Sequence, residues 1–210
     1  MKINYQMELE KVLEKENNNK KKLLIHSCCA PCNSYVVEYL EKYFDIYIYF
    51  FNPNINISGE FEKRYLEQER YVKESGKIIQ VIKGKFDIKD FLQAIKGYEL
   101  QGEGSERCTK CFELRLENTA KKALELKMDY FTTSLTISPM KDAELLNNIG
   151  KKYGDIYNVK WLASDFKKKN GYKNSIELSK KYDLYRQDYC GCSFSKMESE
   201  LRKTQIKKAE

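Results

Sequence analysis

Seven cysteines carry the chemistry available to this sequence, and all of them fall in three tight groups. Cys28, Cys29 and Cys32 lie in His26-Ser27-Cys28-Cys29-Ala30-Pro31-Cys32, Cys108 and Cys111 in Cys108-Thr109-Lys110-Cys111, and Cys190 and Cys192 on either side of Gly191. Inert core packing, the ordinary use of a free cysteine, would scatter them. Disulfide frameworks belong to small secreted domains with even counts, so an odd count in a chain of 210 residues points to metal or redox chemistry. The reactive form is the thiolate, which both ligates metals and attacks electrophiles. Cys108 and Cys111, at i and i+3, share a helix face with β-carbons about 5–6 Å apart. That suits two irons of one cluster or two corners of a zinc site. Cys190 and Cys192 can splay to opposite sides of a loop and serve neighbouring centres.

A structural zinc closes on four ligands, and a 4Fe-4S cluster also takes four thiolates, so three thiols remain in either case. The count is read as one 4Fe-4S cluster plus one mononuclear metal with three protein ligands and an open position. Iron is the expected second metal, with zinc as the alternative. A single four-cysteine zinc site with three spare thiols is the competing arrangement. Cys32 is the ligand whose place a carboxylate can take. Arg186, Gln187, Asp188 and Tyr189 run directly into the third group, so they are expected beside the metals, where Asp188, Tyr189 and Arg186 can move or hold protons; a solvated loop is the plainer reading. His26, the sole histidine, reads as structural rather than substrate-binding. Thr132, Thr133, Ser134 and Ser138 can line the same mouth, but read first as ordinary strand residues.

The elements that must position these groups alternate strand and helix. Leu23 to Ser27 predicts a first strand, followed by the thiol turn and a helix to about Phe44, capped by Asn33 or Ser34. Asp45 to Phe51 is apolar enough for a strand covered on both faces, as in parallel sheets. Ser58 is expected to cap a helix from Gly59 to about Glu74, Lys77 to Ile82 to form a third strand, and Asp87 to cap a short helix that Gly97 ends. A long helix is expected from about Glu106 to Lys127, a fourth strand over Tyr130 to Leu135, and a helix from Ser138-Pro139 to Tyr153. Ile156 to Leu162 suggests a last strand, followed by a helix near Asn174 to Tyr182 and a charged terminal helix. The result is an α/β fold, a mostly parallel sheet flanked by helices. Sites in such sheets form beyond the carboxyl ends of the strands, and the first strand-to-helix turn is a favoured place. Here that turn holds three thiols and no glycine, which argues against ATP, because phosphate-binding turns are glycine-rich.

A chain of this length buries roughly 70% of its unfolded surface as one unit. One catalytic domain is expected over 22–198, with an N-terminal helical extension over 1–21 that ends at Asn17-Asn18-Asn19 and frays, and a basic tail over 199–210. No stretch approaches the roughly 20 apolar residues of a membrane span, and the polar N-terminus carries no secretory signal, so a cytoplasmic protein is expected. Lys and Arg exceed Asp and Glu by 38 to 31, with runs at Lys20–Lys22, Lys167–Lys169 and Lys207-Lys208. A polyanionic partner such as nucleic acid fits this excess, and a solvated lysine surface also explains it.

Four ordered blocks together resemble the QueH family of cobalamin-independent epoxyqueuosine reductases: Leu24-Ile25-His26-Ser27-Cys28-Cys29-Ala30-Pro31-Cys32, Arg107-Cys108 with Cys111-Phe112 and Leu114-Arg115-Leu116, Thr132-Thr133-Ser134-Leu135 with Ile137-Ser138-Pro139, and Tyr185-Arg186-Gln187-Asp188-Tyr189-Cys190-Gly191-Cys192. The resemblance covers about residues 22 to 198. It implies a nucleotide α-hydrolase-like fold of the HUP and PP-loop kind, and a 4Fe-4S cluster beside a second metal. It also implies reduction of the epoxide of epoxyqueuosine, at the anticodon wobble position of tRNA, to queuosine. The seven cysteines carry over as ligands, and an external ferredoxin or flavodoxin is the expected electron donor. We divide the ligands as Cys29, Cys108, Cys111 and Cys190 for the cluster, and Cys28, Cys32 and Cys192 for the single metal. A tRNA sulfur-transferase of similar fold and a structural zinc module that binds nucleic acid are the rivals.

Overall fold

The computed structural model describes residues 3–16 and 20–209. In chain order it consists of α1 (Tyr5–Glu16), β1 (Lys21–His26), α2 (Ala30–Leu40), β2 (Phe44–Phe50), α3 (Glu60–Glu74), β3 (Gln80–Lys83), α4 (Ile88–Ala94), α5 (Glu106–Glu125), β4 (Tyr130–Thr133), α6 (Ala143–Tyr157), β5 (Lys160–Trp161), α7 (Gly171–Lys181) and α8 (Ser193–Ala209). The strands form one all-parallel sheet in the order β3-β2-β1-β4-β5. The chain steps from β1 to β2 on one side and later returns to add β4 on the other. This reversal opens a crevice at the carboxyl ends of β1 and β4, where α/β proteins bind ligands.

β1 is central because it is apolar on both faces. Leu23 and Ile25 join one core with Val36, Val37, Leu40, Ile46 and Ile48, while Leu24 points the other way, into a second core with Phe131, Leu116, Ala120 and Leu146. Such period-two burial on both sides is what a strand covered by helices requires. Helices α2 and α7 pack together, as do α5 and α6. Each fully buried Leu, Ile or Phe contributes roughly 1.5–3 kcal/mol relative to exposure. Phe131, packed edge-on against Trp161 at 5.0 Å, is a place where truncation to Ala costs roughly 3–5 kcal/mol. Gly150 lets α6 approach this pair, since a Cβ there would lie 2.3 Å from the indole.

Several boundaries differ from the sequence reading. Ser138-Pro139 does not start a helix. A 3-10 segment, Ser134–Ile137, precedes it, and Asp142 caps α6 by accepting from the amides of Glu144 and Leu145 at 2.8 and 3.2 Å. A carboxylate that satisfies two amides outcompetes a serine several residues upstream. Ile156 and Tyr157 belong to α6, which stops where Asn158 turns left-handed at φ 53°, so β5 is only Lys160–Trp161. The extended Cys29 precedes α2, with Asn33 and Ser34 inside the helix, and Gly59 at φ 73° takes the cap position expected of Ser58. β3 begins at Gln80, and α7 begins at Gly171. α1 is anchored over its described length by Leu9 and Leu13, buried in the core with Leu23. Asn17-Asn18-Asn19 lie outside the described residues. α8 runs without a break past residue 198.

Candidate metal centre

β1 ends in His26, and the chain then turns sharply enough to aim three thiols into the crevice. Asn52 holds the turn by donating to the Ser27 carbonyl at 2.8 Å, and Ser27 Oγ donates to Gln68 at 2.8 Å. The sulfurs of Cys28, Cys29 and Cys32 all lie within 4.8 Å of one another, with Cys28 and Cys29 3.8 Å apart. Three buried thiols this close cannot all ionise by themselves. Cys28 is held well below its usual pKa by hydrogen bonds from Cys29 and Cys32, with a lesser contribution from Arg115. Cys29 and Cys32 are pushed up, first by the Cys28 thiolate beside them. A bound cation is what would let all three become thiolates.

The other four thiols stand behind this triad. Cys108 and Cys111 project from the first turns of α5 and line a narrow pocket with Cys190, Cys192, Phe91 and Arg107. Burial pushes the Cys111 thiol up to about 12 and the Cys192 thiol up to about 11. Cys108 and Cys192 each accept a backbone amide at 3.3 Å, from Gly104 and Ser195. Gly191 makes the tight loop possible. Its φ is +126°, and a Cβ there would lie 2.9 Å from Ile55 and 3.2 Å from Arg64 Nη1.

Cys190 belongs to both groups, since it also lines a cavity of about 330 Å³ with Cys28, Cys29 and Cys32. The seven free thiols therefore form one continuous array, Cys108 packing in the same cluster as Cys28 and Cys29, and Cys111 with Cys192. Cys29 stands in one triad with Cys28 and Cys32, because all three sit in one turn, and Cys192 shares the rear pocket with Cys108, Cys111 and Cys190.

Of the expected polar residues, Arg186, Gln187, Asp188, Tyr189 and Ser138 line the cavity. Arg186 is tied to α7 by a 2.9 Å bond to Ser179 Oγ. The Asp188 carboxylate pairs with Lys203, which holds its pKa below the usual range and makes it an acceptor rather than an acid. Burial raises the Tyr189 pKa, so its hydroxyl keeps its proton at neutral pH. Thr132, Thr133 and Ser134 are wholly buried and do not line the cavity. His26 is structural. It is wholly buried, with Nδ1 2.9 Å from Thr133 Oγ1 and Nε2 3.1 Å from the Phe51 carbonyl, and burial followed by the charge of Arg115 lowers its pKa to about 3.

Four cations missed as site residues surround the sulfurs. Arg64, Arg107, Arg115 and Lys141 are each at most 8% exposed. Buried charge requires opposite charge nearby, and thiolates or a cluster held by thiolates would supply it. This donor set, soft sulfur among buried cations, fits an iron-sulfur cluster.

Comparison with known proteins agrees with the site. The family model described as epoxyqueuosine reductase QueH matches residues 23–198. An epoxyqueuosine reductase QueH of Staphylococcus epidermidis is 43% identical over 215 residues, covering 99% of this chain and 90% of that protein. Its counterpart from Thermotoga maritima is 35% identical, covering 88% of this chain and 95% of that protein. Among solved structures, the U34-tRNA thiolase NcsA of Methanococcus maripaludis, with its 4Fe-4S cluster, aligns at a TM-score of 0.52 with 15% identity, over 97% of this chain and 72% of that one. At that identity the likeness shows the fold alone. The four motif blocks, the thiol array they build, and relatives matching nearly end to end place the chain in the QueH family of epoxyqueuosine reductases.

Proposed function

We propose that this chain reduces the epoxide of epoxyqueuosine in tRNA to queuosine. The observation that carries the reading is the convergence of all seven thiols on one crevice, with Cys28, Cys29, Cys32 and Cys190 exposed to a cavity at the lower end of the range for small-molecule sites. Cys108 and Cys111, which line one pocket with Cys190 and Cys192, would anchor the 4Fe-4S cluster. Its remaining ligands are taken as Cys29 and Cys190, leaving Cys28, Cys32 and Cys192 for a mononuclear metal, iron in preference to zinc. Bound there, the metals supply the two electrons of the reduction, drawn from an external carrier such as a ferredoxin or flavodoxin.

Loss of the epoxide oxygen as water also takes two protons. Tyr189, protonated and lining the cavity, is suited to donate one to that oxygen. Asp188, ionised and paired with Lys203, serves as a relay to solvent, and Arg186 holds the loop that presents both. The base must leave the anticodon stack to reach the thiols, and the cavity offers aromatic and basic faces at Tyr172 and Arg202 to receive it. The catalytic unit is taken as 22–198, completed by Arg202 and Lys203 on the continuation of α8. Against sulfur transfer with ATP stands the thiol turn itself, which has no glycine to cradle phosphate.

The test is anaerobic incubation of the reconstituted protein with epoxyqueuosine-containing tRNA and a low-potential reductant, followed by mass analysis of the nucleosides. Formation of queuosine is the expected result. A fully loaded protein that leaves epoxyqueuosine intact would remove the assignment.

A further inference from the structure

Three of the four buried cations around the thiols have their own carboxylate. Arg64 pairs with Glu60 at 2.6 Å, Arg107 with Glu198 at 2.7 Å, and Lys141 with Glu103 at 2.8 Å. Arg115 has none among the described residues, although its side chain is wholly buried. Its hydrogen-bond partners are neutral: Nε donates to His26 Nε2 at 3.3 Å and Nη2 to Asn52 Oδ1 at 2.8 Å, the Cys111 thiol lies beside the guanidinium, and Nη1 has no nitrogen or oxygen partner among the described residues. The sequence puts Arg115 one helical turn after Cys111, on the same face of α5. Its charge acts on one thiol from each group, Cys111, Cys190 and Cys28.

A guanidinium stays charged in any protein, so it must be balanced by an anion within reach. We propose that Arg115 is the counter-cation of the sulfur centre and sets its reduction potential. This rests on the reading that a 4Fe-4S cluster occupies the thiol array. Adding one electron from a low-potential carrier makes the cluster one unit more negative, and a fixed cation in a dry site favours that reduced state over the oxidised one. Arg115 touches no substrate in this role; it acts through the cluster as a positioning residue. His26 and Asn52 hold it without neutralising it.

The test is an EPR-monitored redox titration of the full chain, reconstituted without oxygen, as wild type, Arg115→Lys, Arg115→Gln, Asn52→Asp and Asn52→Leu. Asn52→Asp places a carboxylate on the atom that receives Nη2 and also removes the amide that donates to the Ser27 carbonyl. Asn52→Leu, which removes that donor without adding charge, is its control, and the difference between the two carries the test even where Arg115→Gln fails to fold. With iron and sulfide contents equal to wild type, the neutralised variants are expected to hold the cluster at least tenfold less reduced at a fixed poise, a fall of 59 mV for one electron. Arg115→Lys should stay near wild type. Equal potentials in fully loaded Asn52→Asp and Asn52→Leu would overturn the proposal while leaving the reductase reading intact. A wild-type protein without sulfide or redox signal would overturn both.

Discussion

Arg64 Nη1 donates to the carbonyl oxygen of Cys190 at 3.2 Å, a bond that ties α3 to the Cys-Gly-Cys loop 126 residues later. The same guanidinium lies over the ring of Tyr189 at 5.1 Å and pairs through Nε with Glu60, which also accepts from Tyr185 Oη at 3.1 Å. One buried ion pair thus fixes the segment Tyr185–Cys190 against the body of the protein. Arg64→Ala leaves Glu60 buried without its partner, and the expected loss is about 3–5 kcal/mol in urea unfolding. Replacing both residues, Arg64→Met with Glu60→Leu, should recover most of it. Equal midpoints for the single and double variants would show that the loss comes from elsewhere.

Gly191 is the second point of control on that loop. At φ +126°, with Ile55 and Arg64 close behind it, a side chain brings strain of about 1–3 kcal/mol. Gly191→Ala is expected to lower the melting temperature and to cut iron retention after desalting, because both neighbouring thiols shift. Wild-type iron content and melting temperature together would show that the loop tolerates the turn without glycine.

Cys108 and Cys111 are the thiols on which the proposed cluster would be anchored. Alanine at either one should abolish the visible absorption of the reconstituted protein and reduce acid-labile sulfide from about four per chain to near zero. Zinc without sulfide in the wild-type protein would instead favour the zinc-module reading. The same measurement on alanine variants of Cys28, Cys29, Cys32, Cys190 and Cys192 assigns the remaining ligands: loss of sulfide marks a cluster ligand, and loss of a single metal marks the other centre.

Lys168 and Lys173 are exposed near the start of α7, close in sequence to Tyr172, which lines the cavity. If phosphates dock there, tRNA affinity should fall steeply between low and moderate salt, and Lys168→Glu with Lys173→Glu should weaken binding and flatten the salt slope by about one unit per lost contact. A binding curve indifferent to salt and to both substitutions would move the docking face elsewhere.

Much of this was readable from the sequence, for a physical reason. β1 from Leu23 to His26 and β2 from Ile48 to Phe50 are buried on both faces, so these stretches carry an almost continuous apolar signal, and the parallel sheet and its thiol-bearing turn follow from it. The helix boundary at Asp142 was not readable, because Ser138-Pro139 is an equally good local start and only the 3-10 turn after β4 rejects it. The buried cations were hidden for a different reason. Arg64, Arg107 and Arg115 lie on helices full of Glu and Lys, where a charged residue reads as part of a solvated face. The one available signal was Arg115's position four residues after Cys111, which puts the two on the same face. Arg186 and Asp188 line the cavity, but their partners on α7 and α8, which decide what each can do, are set only by the fold.

The thiols of this array are drawn from segments far apart in the sequence. Cys28 leaves the ribosome early, and Cys192 follows 164 residues later. At roughly 5–20 residues per second, that interval is about 8–33 s. During it the nascent chain carries reactive sulfur with no finished cage, and the loop that closes the array arrives last. Metal loading must therefore await synthesis of the Cys190–Cys192 loop, and a chain interrupted before Cys190 would display its other five cysteines unassembled, as a marker of incomplete synthesis.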